Sequence, residues 1–263
     1  MEDNLSSYIN AYTNSAAHND YLFEHFTQKT NEISFLKNHR DHIEAESLGF
    51  GERAFAYMWY LITQHVCAIN TDPQFLEIGV FKGQVISLWA LIAKELHLEL
   101  RVTGVSPLAG NSAQKLSWIQ YLHSKISKKY RDDMGSGNNY DDIDYLSIIK
   151  NLFTQLGLNF NDINLLKGYS TDLEIIDQLS KQEYAVIYID GDHTFAGVVS
   201  DIKNYAPLVK KGGLLIMDDA SCDLPGIKFW KGHQSVSNAC RLIDDMPFKN
   251  ILNIGHNRVY QKQ

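Results

Sequence analysis

The sequence has no apolar run near the roughly 20 residues needed to cross a bilayer; its longest, Ala54–Ile62 and Val85–Ala93, stop well short. No membrane partner is expected. Cysteine is scarce: Cys67, Cys222 and Cys240 are an odd number with no C-x-x-C pair. That argues against a disulfide framework and leads us to expect reduced thiols in a cytoplasmic protein. Excess basic charge is also missing. Lys plus Arg number 24 against 31 Asp plus Glu, a formal net charge of −7, and such a surface repels a polyphosphate backbone, so nucleic acid is not an expected partner. The opening residues Met1-Glu2-Asp3-Asn4 show neither the basic nor the apolar region of a secretory leader. Internal repeats are absent. So is the G-x-G-x-x-G fingerprint of dinucleotide sites, and so is the G-x-S-x-G elbow of α/β-hydrolases.

What remains is an ordinary globular composition, 44% hydrophobic and 21% charged, in a length that fits one large α/β domain with a terminal extension. Residues 1–46 are polar and aromatic, with Tyr8, Tyr12, Tyr21, Phe23 and Phe26 at loosely helical spacing and no strand-like run. They read as a helical extension that packs on the main domain or covers a site, and their aromatic surface suits contact between copies in a homo-oligomer. Residues 47–263 form the main domain. Glu52–Val66 carries Phe55, Met58, Trp59, Leu61 and Ile62 at intervals of three and four, the spacing of an amphipathic helix.

From residue 74 short apolar runs alternate with stretches of helical length, which is the pattern of βαβ units. Strands are expected at Phe75–Val80, Leu100–Val105, Ile163–Lys167, Tyr184–Asp190 and Leu214–Asp218. Helices are expected at Gly83–Leu98, Val198–Val209 and Gln234–Ile243, the second closed by Lys210-Lys211-Gly212-Gly213. Lys249–Ile254 and Arg258–Lys262 around Gly255-His256-Asn257 read as a terminal antiparallel hairpin. The fold class is therefore α/β: a Rossmann-like, seven-stranded, mostly parallel sheet with a C-terminal hairpin. A long insert, about residues 107–160, separates the second and third strands. It holds a basic stretch (Lys125, Lys128, Lys129, Arg131) and the polar run Asp132–Asn139, read as a solvated helix face and a loop.

Ligands of open parallel sheets bind beyond the carboxyl ends of the strands, so the residues closing each strand are the candidates. The first strand closes with Glu77-Ile78-Gly79-Val80-Phe81-Lys82-Gly83, whose glycines permit a tight turn and close approach to a ligand. The fourth closes with Asp190-Gly191-Asp192-His193 and the fifth with Asp218-Asp219. Carboxylates converging on one crevice repel and call for protons or a cation, and Mg²⁺ suits hard oxygen ligands that leave positions for substrate. His193, three residues past Asp190, is a candidate general base. His233 and His256 form no metal-ligand spacing and receive no role.

Three segments together carry a resemblance. Phe75–Gly83, Tyr188-Ile189-Asp190-Gly191-Asp192-His193-Thr194-Phe195-Ala196-Gly197 and Gly212–Asp219 resemble class I S-adenosylmethionine-dependent methyltransferases. The nearest type is the metal-dependent small-molecule O-methyltransferases related to macrocin O-methyltransferase. The resemblance implies that Glu77, Gly79, Val80, Phe81 and Gly83 hold the methionine part of S-adenosylmethionine, joined by Asp190, and that Ser170 and Thr171 face its adenine. It implies Asp190, Asp218 and Asp219 as ligands of Mg²⁺ or another divalent cation. His193 or Asp190 would be the catalytic base, His193 standing where catechol enzymes carry a lysine. Ser106 replaces the acid that usually grips the ribose. The implied reaction is methyl transfer to a hydroxyl of a small molecule, a sugar or natural-product diol. Two rival readings are a hydroxylase-like accessory protein of the same fold and a non-catalytic cofactor-binding module.

Overall fold

The computed structural model describes residues 3–110 and 143–263. The basic stretch and the polar run of the insert lie outside these residues. Three helices make up the extension: α1 (Leu5–Ala11), α2 (Ala16–Glu32) and α3 (Ser34–Ala45). Asn4 and Ser15 start the first two, their side-chain oxygens accepting the Ser7 and His18 backbone N–H groups that a first helical turn leaves unpaired. Helix α4 (Arg53–Ile69) buries a broad apolar face that includes Phe55, Met58, Trp59 and Ile62, as its spacing predicts.

The βαβ region follows. Strand β1 (Gln74–Ile78) leads to α5 (Gln84–Leu96) and β2 (Arg101–Ser106). The insert contributes α6 (Tyr145–Gln155), capped by the Asp144 carboxylate, ahead of β3 (Ile163–Lys167) and α7 (Leu173–Leu179). Strand β4 (Tyr184–Ile189), α8 (Phe195–Tyr205), β5 (Val209–Met217), α9 (Gln234–Ala239), β6 (Phe248–Ile254) and β7 (Asn257–Lys262) complete the chain. The strand order is β3-β2-β1-β4-β5-β7-β6, parallel from β3 through β5, with β7 antiparallel to both β5 and β6. This is the expected mostly parallel, seven-stranded Rossmann-like sheet with its terminal hairpin.

One expected boundary is corrected. Helix α8 stops at Tyr205, because Pro207 lacks an N–H and cannot continue an α-helix. The Lys210–Gly213 run, expected to close that helix, instead lies inside β5, whose pairing with β4 shifts register between Tyr184 and Val186. Alternation along each strand divides the core. Phe75, Val186, Tyr188, Leu214 and Ile216 face α4, α5, α6 and the extension. Leu76, Ile78, Ile187, Ile189, Leu215 and Met217 face α7, α8 and α9.

Register sets the site. Val105, Ile78, Ile189, Met217 and Arg258 stand level across five strands. The residues just past that row, Ser106, Gly79, Asp190 and Asp218, therefore share one edge with the hairpin turn that holds His256. The strand order reverses between β1 and β4, and this is where a crevice opens in such sheets.

Candidate functional site

The turn after β1 is held by backbone: Gly79 and Val80 N–H donate to the Val105 carbonyl at 3.0 and 3.3 Å. Gly79 sits at φ +101, and a Cβ there would fall 1.8 Å from the Asp190 carbonyl oxygen, so only glycine lets the ends of β1 and β4 meet. Phe81 takes a left-handed conformation (φ 47) and stacks on Phe50 at 5.4 Å between ring centroids. Gly83, at φ +90, caps α5 without any side-chain hydrogen bond to the first turn. Among the opening amides of that helix, the Ile86 N–H is met by the Glu77 carboxyl, while Gly83 lends no side-chain cap to those before it, where an anion can bind. A Cβ on Gly83 would stand 3.2 Å from the Ile149 side chain of α6, so the insert packs closely against this loop.

Glu77 is buried at 2% exposure, and its Oε2 has no hydrogen-bond partner. Burial, reinforced by the negative charges of Asp190 and Asp218, pushes its carboxyl well above the usual range. Ser106 is also buried, and its Oγ accepts the Leu108 N–H at 3.2 Å, which closes its own turn. Ser170 is half-buried, its carbonyl accepting the Tyr205 hydroxyl, while Thr171 is exposed. Both lie on the turn after β3, the outer strand of the sheet, and the Ser170 side chain meets the Asp201 carboxyl.

Those acidic residues do come together. The Asp190 Oδ1 lies 3.3 Å from the Nε2 of His193, and its Oδ2 accepts the Tyr188 hydroxyl at 3.4 Å. Burial and the neighbouring Asp218 drive the Asp190 carboxyl well up. Asp219 is 5% exposed, and burial next to Asp218 pushes it up to about 9. Asp219 holds a left-handed backbone, φ 52, an arrangement Asp and Asn tolerate better than most residues. Gly232 lies against that turn so closely that a Cβ would stand 2.2 Å from the Asp219 carbonyl carbon and oxygen.

Two histidines with no sequence-level role join them. The His233 N–H donates to the Asp219 carbonyl at 2.9 Å, and the Ala220 N–H donates to the His256 carbonyl at 2.8 Å. Backbone pairing around Asp219 and Ala220 thus draws in both imidazoles. The Asp219 Oδ2 faces His193 Nε2 at 3.5 Å and His233 Nε2 at 3.7 Å, while its Oδ1 faces His256 Nε2 at 3.6 Å. His256 Nε2 also stands 3.4 Å from Asp218 Oδ1, an oxygen that is buried with no hydrogen-bond partner. Burial lowers both His233 and His256 below the ordinary imidazole range, favouring the neutral form that can ligate a metal. Among the described residues, two trios bring ligand atoms within 4.8 Å of one another: His193–Asp219–His233 and Asp218–Asp219–His256. Asp190 belongs to neither trio and meets the cluster through His193 and through a side-chain hydrogen bond with Asp218.

Trp230, half exposed, sets its ring edge-on to His233 and His256 at 5.3 and 5.2 Å. The loop carrying it is gripped by the extension. The Asp20 carboxylate accepts the Ile227 and Lys228 N–H groups, Asn19 donates to the Pro225 carbonyl, and Phe23 packs on Phe229. The hairpin signal could have found His256, since a turn antiparallel to β5 returns to the carboxyl edge; no sequence signal pointed to His233 or Trp230.

The methyltransferase domain family matches residues 76–220, more than half of the chain. No curated protein sequence matches the chain. Among solved structures, the O-methyltransferase NovP is 15% identical over 79% of each chain, with a TM-score of 0.56. CalS11, a calicheamicin methyltransferase, is 13% identical over 96% of each chain at a TM-score of 0.54. TomG from Streptomyces achromogenes, an O-methyltransferase involved in tomaymycin synthesis, is 12% identical over 87% of this chain and 89% of its own, at 0.51. At such identities the likeness is one of fold, and it agrees with the strand order above. The family match supplies the assignment: this chain belongs to the methyltransferase domain family.

Proposed function

We infer that the protein transfers a methyl group from S-adenosylmethionine to a hydroxyl of a small molecule, with a divalent cation bound at the Asp/His cluster. The observation that carries this reading is the placement of Asp190, Asp218, Asp219 and three imidazoles beside the Gly79–Gly83 turn in a methyltransferase domain. The residues fit both groups. The first amides of α5, to which Gly83 lends no side-chain cap, and the glycine turn before them suit the carboxylate end of the donor. The orphaned Asp218 Oδ1 and the shared Asp219 carboxylate suit a cation.

S-adenosylmethionine, when bound, supplies an electrophilic methyl. A divalent cation, when bound, favours the ionised acceptor hydroxyl and fixes its direction. The chain's own residues do the rest. Asp190 stands at the mouth with 29% of its side chain exposed, where its carboxylate is placed to accept the proton of an acceptor hydroxyl. His193 Nε2 lies between Asp190 and Asp219 and fixes the spacing of the two carboxylates. Asp218 and Asp219, held by the β5 end and by Gly232, keep their oxygen ligands on one side of the crevice. Trp230 offers the acceptor an apolar face, and the extension keeps that wall in place. In-line placement of the attacking oxygen is the main requirement of such a transfer.

NovP is named an O-methyltransferase and CalS11 a calicheamicin methyltransferase; a sugar or natural-product diol, able to reach a cation with two oxygens, is the acceptor class we favour here. Incubating the protein with the donor and a panel of glycosides and catechols, with and without divalent cation, tests this. A mass gain of one methylene on an acceptor, lost in chelator, is expected. Donor turnover without acceptor methylation, or methylation undiminished in chelator, would refute it.

A further inference from the structure

Three ligand-type atoms converge on one point with spacings longer than a hydrogen bond requires. His193 Nε2 and His233 Nε2 stand 3.5 and 3.7 Å from the same oxygen, Asp219 Oδ2. Two ligand atoms on a four-coordinate ion with bonds of about 2.0–2.2 Å stand roughly 3.3–3.5 Å apart, so both histidine–aspartate pairs are already near ligand spacing, and all three ligand atoms lie within 4.8 Å of one another. The two imidazoles stack, ring centroids 5.0 Å apart, and both present Nε2 to that oxygen. A second, separate observation points to a ligand: Asp218 Oδ1, on a residue 9% exposed, is buried in the cluster without a hydrogen-bond partner.

Hard cations such as Mg²⁺ take oxygen donors, whereas imidazole suits Mn²⁺, Fe²⁺, Co²⁺, Ni²⁺ and Zn²⁺. A crevice built for Mg²⁺ alone would gain nothing from three inward imidazoles, two of them, His193 and His256, buried. We propose that His193, Asp219 and His233 form a nitrogen-containing site for a divalent transition ion, with Asp190 and Asp218 as flanking oxygens. This deepens the reading of a cation-assisted transferase and rests on it for its role, but the ligation is measured without donor or acceptor. Such a site would add nitrogen donors to the carboxylates expected from the sequence.

Most sites hold Zn²⁺ or Co²⁺ more tightly than Mg²⁺ whatever their donors, so a bare preference decides nothing. The test is nitrogen ligation. Chelator-stripped full-length protein is loaded with Mn²⁺ and examined by pulsed electron paramagnetic resonance, and nitrogen hyperfine coupling is expected. Its absence would overturn the proposal. In parallel, Co²⁺ and Mg²⁺ are titrated calorimetrically into the wild type and His233→Asn. Loss of even an outer-shell partner commonly costs about 10–100-fold in metal affinity, so Co²⁺ binding should weaken at least that much while Mg²⁺ binding holds. Equal loss of both ions, or loss of neither, would overturn it. The Mn²⁺ spectrum needs no variant and decides the matter even if His233→Asn fails to fold. Should the coupling appear while no acceptor is methylated, the ligation stands and the transferase reading falls; the reverse result separates them the other way.

Discussion

Replacing Gly79 with alanine tests how the crevice is built. At φ +101 an L-residue is strained, and the left-handed region costs about 1–2 kcal/mol. The added Cβ would also lie 1.8 Å from the Asp190 carbonyl oxygen and 2.9 Å from the Gly191 Cα, both backbone atoms that cannot swing aside. Overpacking of that kind costs a further 1–3 kcal/mol or so. The sum, about 2–5 kcal/mol, corresponds to a fall in melting temperature of roughly 5–15 °C for a domain of this size. Gly212→Ala is the matched control, because Gly212 has φ +76 but nothing within 4 Å of where its Cβ would stand, so only the conformational cost applies. Differential scanning fluorimetry of both variants, with and without S-adenosylhomocysteine, gives two readouts. Gly79→Ala should melt well below Gly212→Ala and lose the ligand-induced shift, because relief of the clash forces the ends of β1 and β4 apart. For the wild type a ligand at about 100 times its dissociation constant should add about 2.7 kcal/mol. If the two variants melt together and both keep the ligand shift, the contact between the strand ends does not organise the crevice.

Three further outcomes follow from other parts of the molecule. Asp219→Asn keeps a residue that tolerates φ 52, so it should fold, retain the S-adenosylhomocysteine shift and lose methyl transfer; wild-type turnover would remove Asp219 from the mechanism. Thr30, fully buried in α2, donates to the Arg53 carbonyl at 2.7 Å and accepts the Tyr57 N–H at 3.1 Å. Thr30→Val should destabilise by about 1–3 kcal/mol through the orphaned N–H, and chemical denaturation showing no loss would contradict that linkage. His39 is buried against the Ser87 hydroxyl, and burial pushes it down to about 3 from an ordinary 6.5. The folded chain therefore keeps it neutral while the unfolded chain takes up a proton, so stability is full above about pH 6.5 and falls as the pH drops toward 3. At pH 5 the loss is about 2 kcal/mol; His39→Gln should flatten that acid slope, and an unchanged slope would reject the assignment.

The parallel strands were legible because each is a short apolar run buried on both faces, as in Ala185-Val186-Ile187-Tyr188-Ile189, and the helices because α4 and α5 carry apolar residues at three- and four-residue spacing. Gly79, Asp190, Asp218 and Asp219 were legible for a topological reason: each closes a strand, and parallel strands deliver their ends to one edge. His233 and His256 were not, since their meeting depends on the Ala220–Gly232 backbone bridge and on the hairpin turn pairing back against β5. Contacts between segments so far apart leave no local period. The end of α8 was misjudged because the lysine–glycine run resembles a helix exit, whereas Pro207 had already stopped the helix.

Calorimetric titration of S-adenosylhomocysteine into the chelator-treated wild-type protein tests the central claim most directly. On the proposed reading the β1 turn and the start of α5 hold the donor without any cation, which predicts one binding site per chain with affinity indifferent to chelator. Absence of binding heat under both conditions, with the protein shown to be folded, would contradict the account.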